Sequence, residues 1–346
     1  MCMNKTFIIA EAGVNHNGSE KLALELVDVA SRSGADAIKF QSFKADKLVR
    51  RGASKAAYQQ ATTGSGDQHS MLAELEMSDS LHFLLYERCA ERGIEFMSTP
   101  FDVDSADFLV KLGIKRIKIP SGEITNHSLI RHLASKNRPL ILSTGMATLE
   151  EIIESTEVLR SERIRLGLNE PLEKVLTILH CTSNYPADVK DVNLRAMNTI
   201  AAAIGVPVGY SDHTLGLAVS TAAVAMGAIV IEKHFTLDRN LPGPDHKASL
   251  TPDELSSLVT QIREVEAALG SPEKRPTDAE LPVRELVRRS VTTLRALRAG
   301  DAVSKNDLCL LRPGGGISPR ELESVYGRIA ACDIPAGTTL QWGDFF

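Results

Sequence analysis

Cysteines are few in this sequence of 346 residues, and they are scattered. The five are odd in number and form no C-x-x-C pair; they are Cys2, Cys89, Cys181, Cys309 and Cys332. A disulfide framework or a zinc site built on thiolates needs paired cysteines, so the spacing disfavours both. The pattern predicts reduced thiols in a cytoplasmic protein.

Long apolar stretches and an excess of positive charge are also missing. The longest apolar run, residues 219–231, is interrupted by serine, threonine and glycine and is too short to span a bilayer. A strand is predicted from Phe7, which leaves no room before it for a signal peptide. The formal net charge of −5 argues against nucleic acid or an anionic membrane as the main partner. We therefore expect a soluble globular protein.

Short strand-like runs alternate with longer helical stretches, such as residues 20–33 and 149–160. An open doubly wound sheet would place a G-x-G-x-x-G turn after its first strand, and residues 12–18 lack that spacing. Eight β-α units within about 250 residues instead fit a (β/α)8 TIM barrel. The predicted strands are residues 7–12, 37–41, 95–99, 117–120, 140–144, 175–180, 208–210 and 229–233.

The alternation stops at Gly270. Residues 271–282 contain three prolines and five charged residues, which predicts an extended linker. Beyond it, an Ala-Gly pair followed seven residues later by Asp-Leu or Asp-Phe occurs twice, at 299–308 and 336–345. We predict a TIM-barrel domain over 1–270, a linker over 271–284 and a small β-rich domain over 285–346.

Polar residues are concentrated where the predicted strands end, which is where barrel enzymes place their active sites. Two lysines surrounded by hydroxyl groups would suit a small phosphorylated carboxylate, because ammonium groups neutralise it and hydroxyls orient it. A Schiff-base aldolase using Lys118 is the alternative chemistry. The strand-end residues are Glu11, Lys39, Gln41, Thr99, Lys118, Ser121, Glu123, Ser143, Ser183, Tyr185, Ser211, His213 and His234.

His213 and His234 follow adjacent predicted strands, so their imidazoles should converge. A lone strand-end histidine is usually a hydrogen-bonded core residue, whereas a converging pair predicts Mg²⁺ or Mn²⁺ ligands. Two imidazoles do not complete a metal shell, and such an open site suits polarisation of a substrate carbonyl. Glu11 and Glu123 are candidates for proton transfer or for contacts with sugar hydroxyls.

Several motifs, in this order, closely resemble those of the sialic acid (nonulosonic acid) synthases. They are AEAGVNHNG, KFQ, STPFD, KIPSGE, ILSTGM, LHCTSNYP, GYSDHT, EKHFT and GPDHKAS. The C-terminal VRRSV, AGD, LRPGGG and AAxxIPAGT segments resemble the antifreeze-like (SAF) domain of these enzymes. The resemblance implies a barrel-plus-SAF homodimer, domain-swapped so that each SAF domain closes the partner's barrel.

The resemblance also implies an activity, the condensation of phosphoenolpyruvate (PEP) with N-acetylmannosamine or a related sugar, with release of phosphate. PEP C3 would attack the open-chain aldehyde with help from Mn²⁺ or Mg²⁺, and the C–O bond of PEP would break. By motif, the implied PEP contacts are Lys39, Thr99, Lys118, Ser121, Ser143, Ser183 and Ser211; the metal ligands are His213 and His234; the sugar contacts are Glu11, Gln41, Glu123, Tyr185, Asp245 and Arg312. Many family members have asparagine where this chain has Ser183 followed by Asn184, so either residue could contact PEP.

The insertion at 53–59 and the Glu232-Lys233-His234 form of the metal motif resemble the legionaminic acid branch. That branch uses 2,4-diacetamido-2,4,6-trideoxymannose as the acceptor sugar. The alternatives are a PEP-condensing synthase with a phosphorylated or pseudaminic-type acceptor, and a sugar-binding protein without catalysis.

Overall fold

The computed structural model describes residues 5–346, and the chain divides into two units, Met1–Gly270 and Ser271–Phe346. Eight parallel strands form the centre of the first unit, in the order β3-β2-β1-β8-β7-β6-β5-β4. Because β1 pairs with both β2 and β8, the sheet curves into a barrel, interrupted between β3 and β4, where the described residues form no strand pairing. The predicted TIM barrel is confirmed. The strands are β1 Phe7–Gly13, β2 Ala37–Ser42, β3 Glu95–Pro100, β4 Ile117–Ile119, β5 Leu140–Ser143, β6 Leu176–Cys181, β7 Val208–Asp212 and β8 Val230–His234.

Side chains alternate between the barrel interior and the surrounding helices, because successive residues of a strand point to opposite faces. One interior layer is apolar and consists of Ile9, Ala37, Met97, Ile141, Leu179 and Val230. Two residues further along the same strands come Glu11, Lys39, Thr99, Ser143, Cys181 and Glu232, which are all buried. The barrel interior therefore has a polar layer at the carboxyl ends of the strands, and the apolar layer lies directly beneath it.

The helices cover the outer face of the barrel and begin at recognisable caps. Thr148 and Glu151 form a capping box, and Ser19, Ser78 and Asp102 each accept a backbone N–H of the first turn. No helix within residues 5–346 is both long and apolar enough to cross a membrane. The helices of the first unit are α1 Glu20–Arg32, α2 Ala45–Leu48, α3 Ala57–Thr63, α4 Gln68–Ala73, α5 Asp79–Arg92, α6 Val103–Leu112, α7 His127–Ala134, α8 Leu149–Arg165, α9 Leu172–Val175, α10 Ala196–Ile204, α11 Ala218–Ala225 and α12 Pro252–Leu269.

The connection between β2 and α5 differs from a plain βα loop. It contains three short helices, α2, α3 and α4, which the sequence pattern does not predict. Helices this short have little intrinsic stability and depend on packing, so they leave no periodic signal in the sequence. Their contacts include a small apolar cluster of Val14, Phe43, Met71 and Leu75.

The second unit is small and β-rich, as predicted. Strands β9 Ser290–Thr293 and β10 Leu308–Leu311 pair antiparallel, and isolated bridges join Leu297 to Ile334 and Ala302 to Ile329. Its core consists of Val291, Leu297, Val303, Leu308, Ile317, Val325, Ala330, Ile334, Leu340 and Phe345. The remaining helices are α13 Glu280–Val287 and α14 Leu322–Val325.

The internal duplication is visible as two matching turns in the second unit. Gly300 and Gly337 both have a positive φ, of +87° and +77°. Each is followed by a 3₁₀ turn, Lys305–Asp307 or Trp342–Asp344, whose aspartate accepts the backbone N–H of the residue before the turn. The sequence repeat thus encodes a repeated local structure.

Helix α13 departs from the expected extended linker. Helix α13 spans Glu280–Val287, and Glu280 accepts hydrogen bonds from the backbone N–H and the hydroxyl of Thr277, at 2.7 Å and 3.1 Å, which ties the preceding turn to the first helical residue. Residues 280–284 are therefore helical.

Candidate active site

The carboxyl ends of the barrel strands surround a cavity of about 430 Å³. Among the residues lining it are Glu11, Lys39, Gln41, Thr99, Lys118, Ser121, Ser143, Ser183, Tyr185, Ser211, His213 and His234. The barrel thus brings these predicted site residues, which come from all eight of its strands or the loops that follow them, to one place.

Two lysines and two glutamates form a buried network at the base of the cavity. The Lys39 ammonium lies 2.8 Å from Glu11 and 3.7 Å from Glu232, and it donates to the Thr99 hydroxyl at 2.9 Å. The Lys118 ammonium lies 3.3 Å from Glu232. Burying charges is costly unless they are paired, and the two carboxyl groups provide the partners. Burial lowers the pKa of Lys118, and Glu232 offsets this shift only in part, whereas at Lys39 the two carboxyl groups outweigh burial and raise the pKa.

The two carboxyl groups of this network are not equivalent. Burial raises the pKa of Glu11 above the ordinary carboxyl value, although the Lys39 ammonium opposes the shift. Burial acts on Glu232 in the same sense, but the ammonium groups of Lys118 and Lys39 outweigh it and lower its pKa. Glu232 is therefore the carboxyl that favours its ionised form, and Glu11 is the carboxyl suited to exchanging a proton.

Hydroxyl groups line the same region. The Ser211 hydroxyl donates to Glu232 at 3.0 Å, and the Ser121 hydroxyl accepts the backbone N–H of Gly145 at 2.9 Å. The Ser143 hydroxyl is buried without a hydrogen-bond partner among the described residues. A Cβ at Gly145 would collide with the Ser183 hydroxyl, so glycine is needed for Ser183 to turn toward the cavity.

The two histidines meet at the cavity wall, with ring centroids 5.4 Å apart. Nδ1 of His213 lies 2.8 Å from the carbonyl oxygen of Thr182, so this nitrogen carries a proton and Nε2 is the ring nitrogen left for a ligand. Burial lowers the pKa of His213, but its contacts with Cys181 and the Thr182 carbonyl outweigh burial and raise the pKa above its ordinary value. Burial and the neighbouring His213 lower the pKa of His234 well below its usual value, which keeps its imidazole neutral. Both rings are thus prepared to act as ligands through nitrogen.

Three residues predicted to contact the sugar lie elsewhere. Glu123, in the turn after β4, does not line the cavity and accepts a hydrogen bond from Asn126 at 2.7 Å. Asp245 is also outside the lining; it is buried, and burial raises its pKa to about 6. Arg312 is exposed in the loop after β10 of the second unit. Ser183 and Asn184 are the two candidates for a PEP contact. Ser183 lines the cavity, whereas the side-chain oxygen of Asn184 accepts the backbone N–H of Tyr185.

Ten lining residues are absent from the predicted set, and two of them, Glu232 and Tyr58, contact predicted site residues. Glu232 could have been found, because it precedes His234 by two residues and so shares its face of the strand. Tyr58 stacks on Tyr185, with centroids 5.3 Å apart, and Tyr185 in turn lies 4.1 Å from the His213 ring. Tyr58 comes from the irregular β2–α5 connection, where the sequence has no regular hydrophobic periodicity that would identify the residues facing the cavity.

Sequence comparison matches both units of the chain. Residues 26–274 match the NeuB family, and residues 288–345 match the SAF domain. The chain belongs to the NeuB family. The family and the C-terminal domain predicted from the motifs are both confirmed.

Curated relatives of this NeuB-family chain are similar over nearly its whole length. The N,N'-diacetyllegionaminic acid synthase of Legionella pneumophila is 55% identical, covering 97% of this chain and 93% of the relative. The synthase of the same name from Campylobacter jejuni is 47% identical, covering 95% and 96%. Among solved structures, the N-acetylneuraminic acid (sialic acid) synthetase of Leptospira borgpetersenii, in complex with citrate, has a TM-score of 0.71 and 34% identity, covering 81% of this chain and 90% of that one.

Proposed function

We propose that this protein condenses PEP with 2,4-diacetamido-2,4,6-trideoxymannose to give N,N'-diacetyllegionaminate and phosphate. One observation carries the proposal: a buried lysine pair and a histidine pair open onto the same cavity. The lysine pair suits an anion, and the histidine pair suits a divalent metal. A condensation of PEP with an aldehyde needs both an anion site and a metal site next to each other. The names of the two relatives at 55% and 47% identity support this acceptor.

PEP fits the base of the cavity. Its phosphate and carboxylate would take the place of the glutamates as partners of Lys39 and Lys118, which are only 3% exposed. The hydroxyls of Thr99, Ser121, Ser143, Ser183 and Ser211 surround these ammonium groups and would orient the anion.

The histidine pair fits a divalent metal such as Mn²⁺ or Mg²⁺. Nδ1 of His234 is a buried nitrogen without a hydrogen-bond partner among the described residues, and Nε2 of His213 is free to bind. Within residues 5–346, no group of three or more His, Cys, Asp or Glu side chains is arranged to hold a metal, so substrate oxygens or water would supply the other ligands. When bound, the metal would act as a Lewis acid that polarises the aldehyde oxygen of the sugar.

The sugar fits the outer part of the cavity. Gln41 and Tyr185 offer polar groups there, while Ala56, Phe101 and Met146 offer apolar contacts. Such contacts suit the methyl groups of two acetamido substituents and a 6-deoxy carbon. Glu123 and Asp245 remain proposed sugar contacts on the basis of their motifs alone, because neither lines the cavity. Arg312 is proposed to come from the second subunit of a dimer.

The residues then divide the chemistry between them. Lys39 and Lys118 hold PEP so that its C3 attacks the aldehyde carbon, which leaves C2 electron-poor. Water adds to C2, and Glu11, whose pKa is raised by burial, accepts the proton. The tetrahedral intermediate then forms the C2 ketone as its C–O bond to phosphate breaks, and the proton of the C2 hydroxyl leaves with the phosphate. The proton that water gave to Glu11 balances the proton gained by the aldehyde oxygen.

A phosphate-release assay tests this function. With PEP and Mn²⁺, we expect faster release with the diacetamido-trideoxy sugar than with N-acetylmannosamine, and none in EDTA. Faster release with N-acetylmannosamine would show that the proposed acceptor sugar is wrong. Full activity in EDTA would show that the reaction needs no metal. No phosphate with either sugar would contradict the function.

A further inference from the structure

A second buried ion pair lies on the other face of the strands that carry the histidines. Asp212 and Lys233 come directly before His213 and His234, so their side chains point away from the cavity, toward the helices. Their carboxylate and ammonium groups are 2.8 Å apart, with side chains 0% and 1% exposed. The mechanism above does not use this pair.

Among the described residues, every side-chain hydrogen bond of Asp212 and Lys233 joins the ends of β7 and β8 or the start of α11. Oδ1 of Asp212 accepts the backbone N–H and the hydroxyl of Thr214, and Oδ2 accepts the Ser220 hydroxyl at 2.6 Å. The Lys233 ammonium donates to Oδ2 of Asp212 and to the carbonyl oxygen of Thr214, at 2.8 Å and 2.6 Å. The carboxylate thus receives four hydrogen bonds, which is its full capacity.

The Asp212–Lys233 pair lies where the backbone pairing of β7 with β8 ends, directly before the two histidines. The backbone pairing of β7 with β8 ends at Asp212 opposite Lys233. Among the described residues, no backbone pairing joins His213 to His234. The ion pair is therefore the last link between the two strands before the imidazoles.

We propose that the Asp212–Lys233 pair is a positioning device that fixes the separation of His213 and His234 and thereby sets the affinity of their metal site. The inference depends on the proposed metal site. Buried ion pairs contribute little net stability compared with apolar substitutes, which agrees with a role in placement. Residues behind metal ligands typically change metal affinity by about 10- to 100-fold when they are replaced.

The test is a double variant that removes the link without leaving a buried charge. In Asp212→Asn/Lys233→Met, the asparagine keeps its acceptor for Thr214, while methionine fills the lysine site and cannot donate. We expect Mn²⁺ affinity, titrated calorimetrically without substrates, to fall about 10- to 100-fold. PEP affinity of the metal-free protein should stay unchanged, because Lys39 and Lys118 lie on the other face.

A matched control is the Glu95–Arg116 pair, which joins the amino end of β3 to the residue before β4, with bonds of 2.7 Å and 3.1 Å. The Glu95→Gln/Arg116→Met variant should lower the melting temperature and leave Mn²⁺ affinity as in the wild type. If the first double variant does not fold, Asp212→Asn alone should weaken Mn²⁺ binding several-fold.

The outcomes separate the two proposals. Wild-type protein that binds no Mn²⁺ overturns the metal site itself. Wild-type protein that binds Mn²⁺, with a folded variant that binds it equally well, overturns only the positioning role. Equal losses of Mn²⁺ and PEP affinity in the variant also overturn it, since they indicate general disruption of the site.

Discussion

Ser143 presents a buried hydroxyl to the cavity, and that hydroxyl has no hydrogen-bond partner among the described residues. Leaving a buried polar group unpaired is unfavourable, so a serine with no structural partner at this place indicates a ligand. The proposed PEP anion would accept its proton. We therefore expect the residue to contribute to binding and not to the stability of the fold.

Replacing Ser143 by alanine separates these two effects. Because no protein hydrogen bond is lost, the melting temperature of Ser143→Ala should not fall. The apparent affinity for PEP should drop roughly 10- to 100-fold, the usual effect of losing a hydrogen bond to a charged group. Steady-state phosphate release and thermal unfolding measure the two quantities.

Ser155 is a matched control for this change. Its hydroxyl is also buried and unpartnered within residues 5–346, but it lies in α8 and does not line the cavity. Ser155→Ala should change neither stability nor PEP affinity appreciably. If both alanine variants leave PEP affinity intact, Ser143 does not contact the substrate.

At the scale of single elements, the first of the two repeated turns in the second unit makes stability depend on pH. Asp307 accepts hydrogen bonds from Arg295 and from the hydroxyl and backbone N–H of Ser304, and these contacts lower its pKa from 3.8 to about 2. A carboxyl whose pKa is lower in the folded state stabilises that state above its unfolded pKa. This contribution is lost as the pH falls from 3.8 toward about 2.

We expect Asp307→Asn to destabilise the second unit by about 1–3 kcal/mol at neutral pH, because a charged hydrogen-bond acceptor is lost. The difference from wild type should shrink at a pH between 3.8 and about 2. Urea unfolding followed by the fluorescence of Trp342, the one tryptophan of the sequence, reports on this unit.

The duplication supplies the control for Asp307. Asp344 occupies the corresponding turn, where it accepts the backbone N–H of Gln341 at 2.7 Å. At neutral pH, Asp344→Asn should therefore lower the free energy of unfolding by less than Asp307→Asn does. A stability difference for Asp307→Asn that persists unchanged in acid would show that its charge is not the cause.

The helices and strands also show which parts of the fold can be predicted from the sequence. All eight barrel strands are short apolar runs that end in polar residues, and each was predicted within a few residues of its observed bounds. Helices α2 to α4 were missed, because they depend on packing and have no period of their own. Likewise Tyr58 and the pairing of Glu232 with two lysines depend on contacts between distant segments, which local sequence patterns do not report.

At the scale of the whole molecule, the proposed domain-swapped dimer predicts that Arg312 serves the active site of the other subunit. Lys118→Met and Arg312→Ala chains should each be inactive or nearly so. Coexpressed, they would form mixed dimers in which one site has an intact barrel and an intact arginine. Activity should then recover to about one quarter of the wild-type value, because half of the dimers are mixed and each has one complete site.

The composition of the mixture can be checked by tagging the two chains differently. Purified mixed dimers should be active, while a mixture of separately purified homodimers that do not exchange should not. Mixed dimers without activity would mean that Arg312 acts within its own chain, and active Arg312→Ala homodimers would mean that the arginine is not required. A monomer in light scattering would exclude the arrangement directly.

The balanced network of Lys39, Lys118, Glu11 and Glu232 has a consequence for how substrates arrive. Since these charges nearly cancel, the empty cavity projects little field, and the chain as a whole carries a net charge of −5. An anionic substrate is then not drawn in from a distance, because long-range steering needs an uncompensated charge at the entrance. Capture would depend on random collisions followed by an exchange of counter-ions inside the barrel, so ionic strength should have little influence on the association rate.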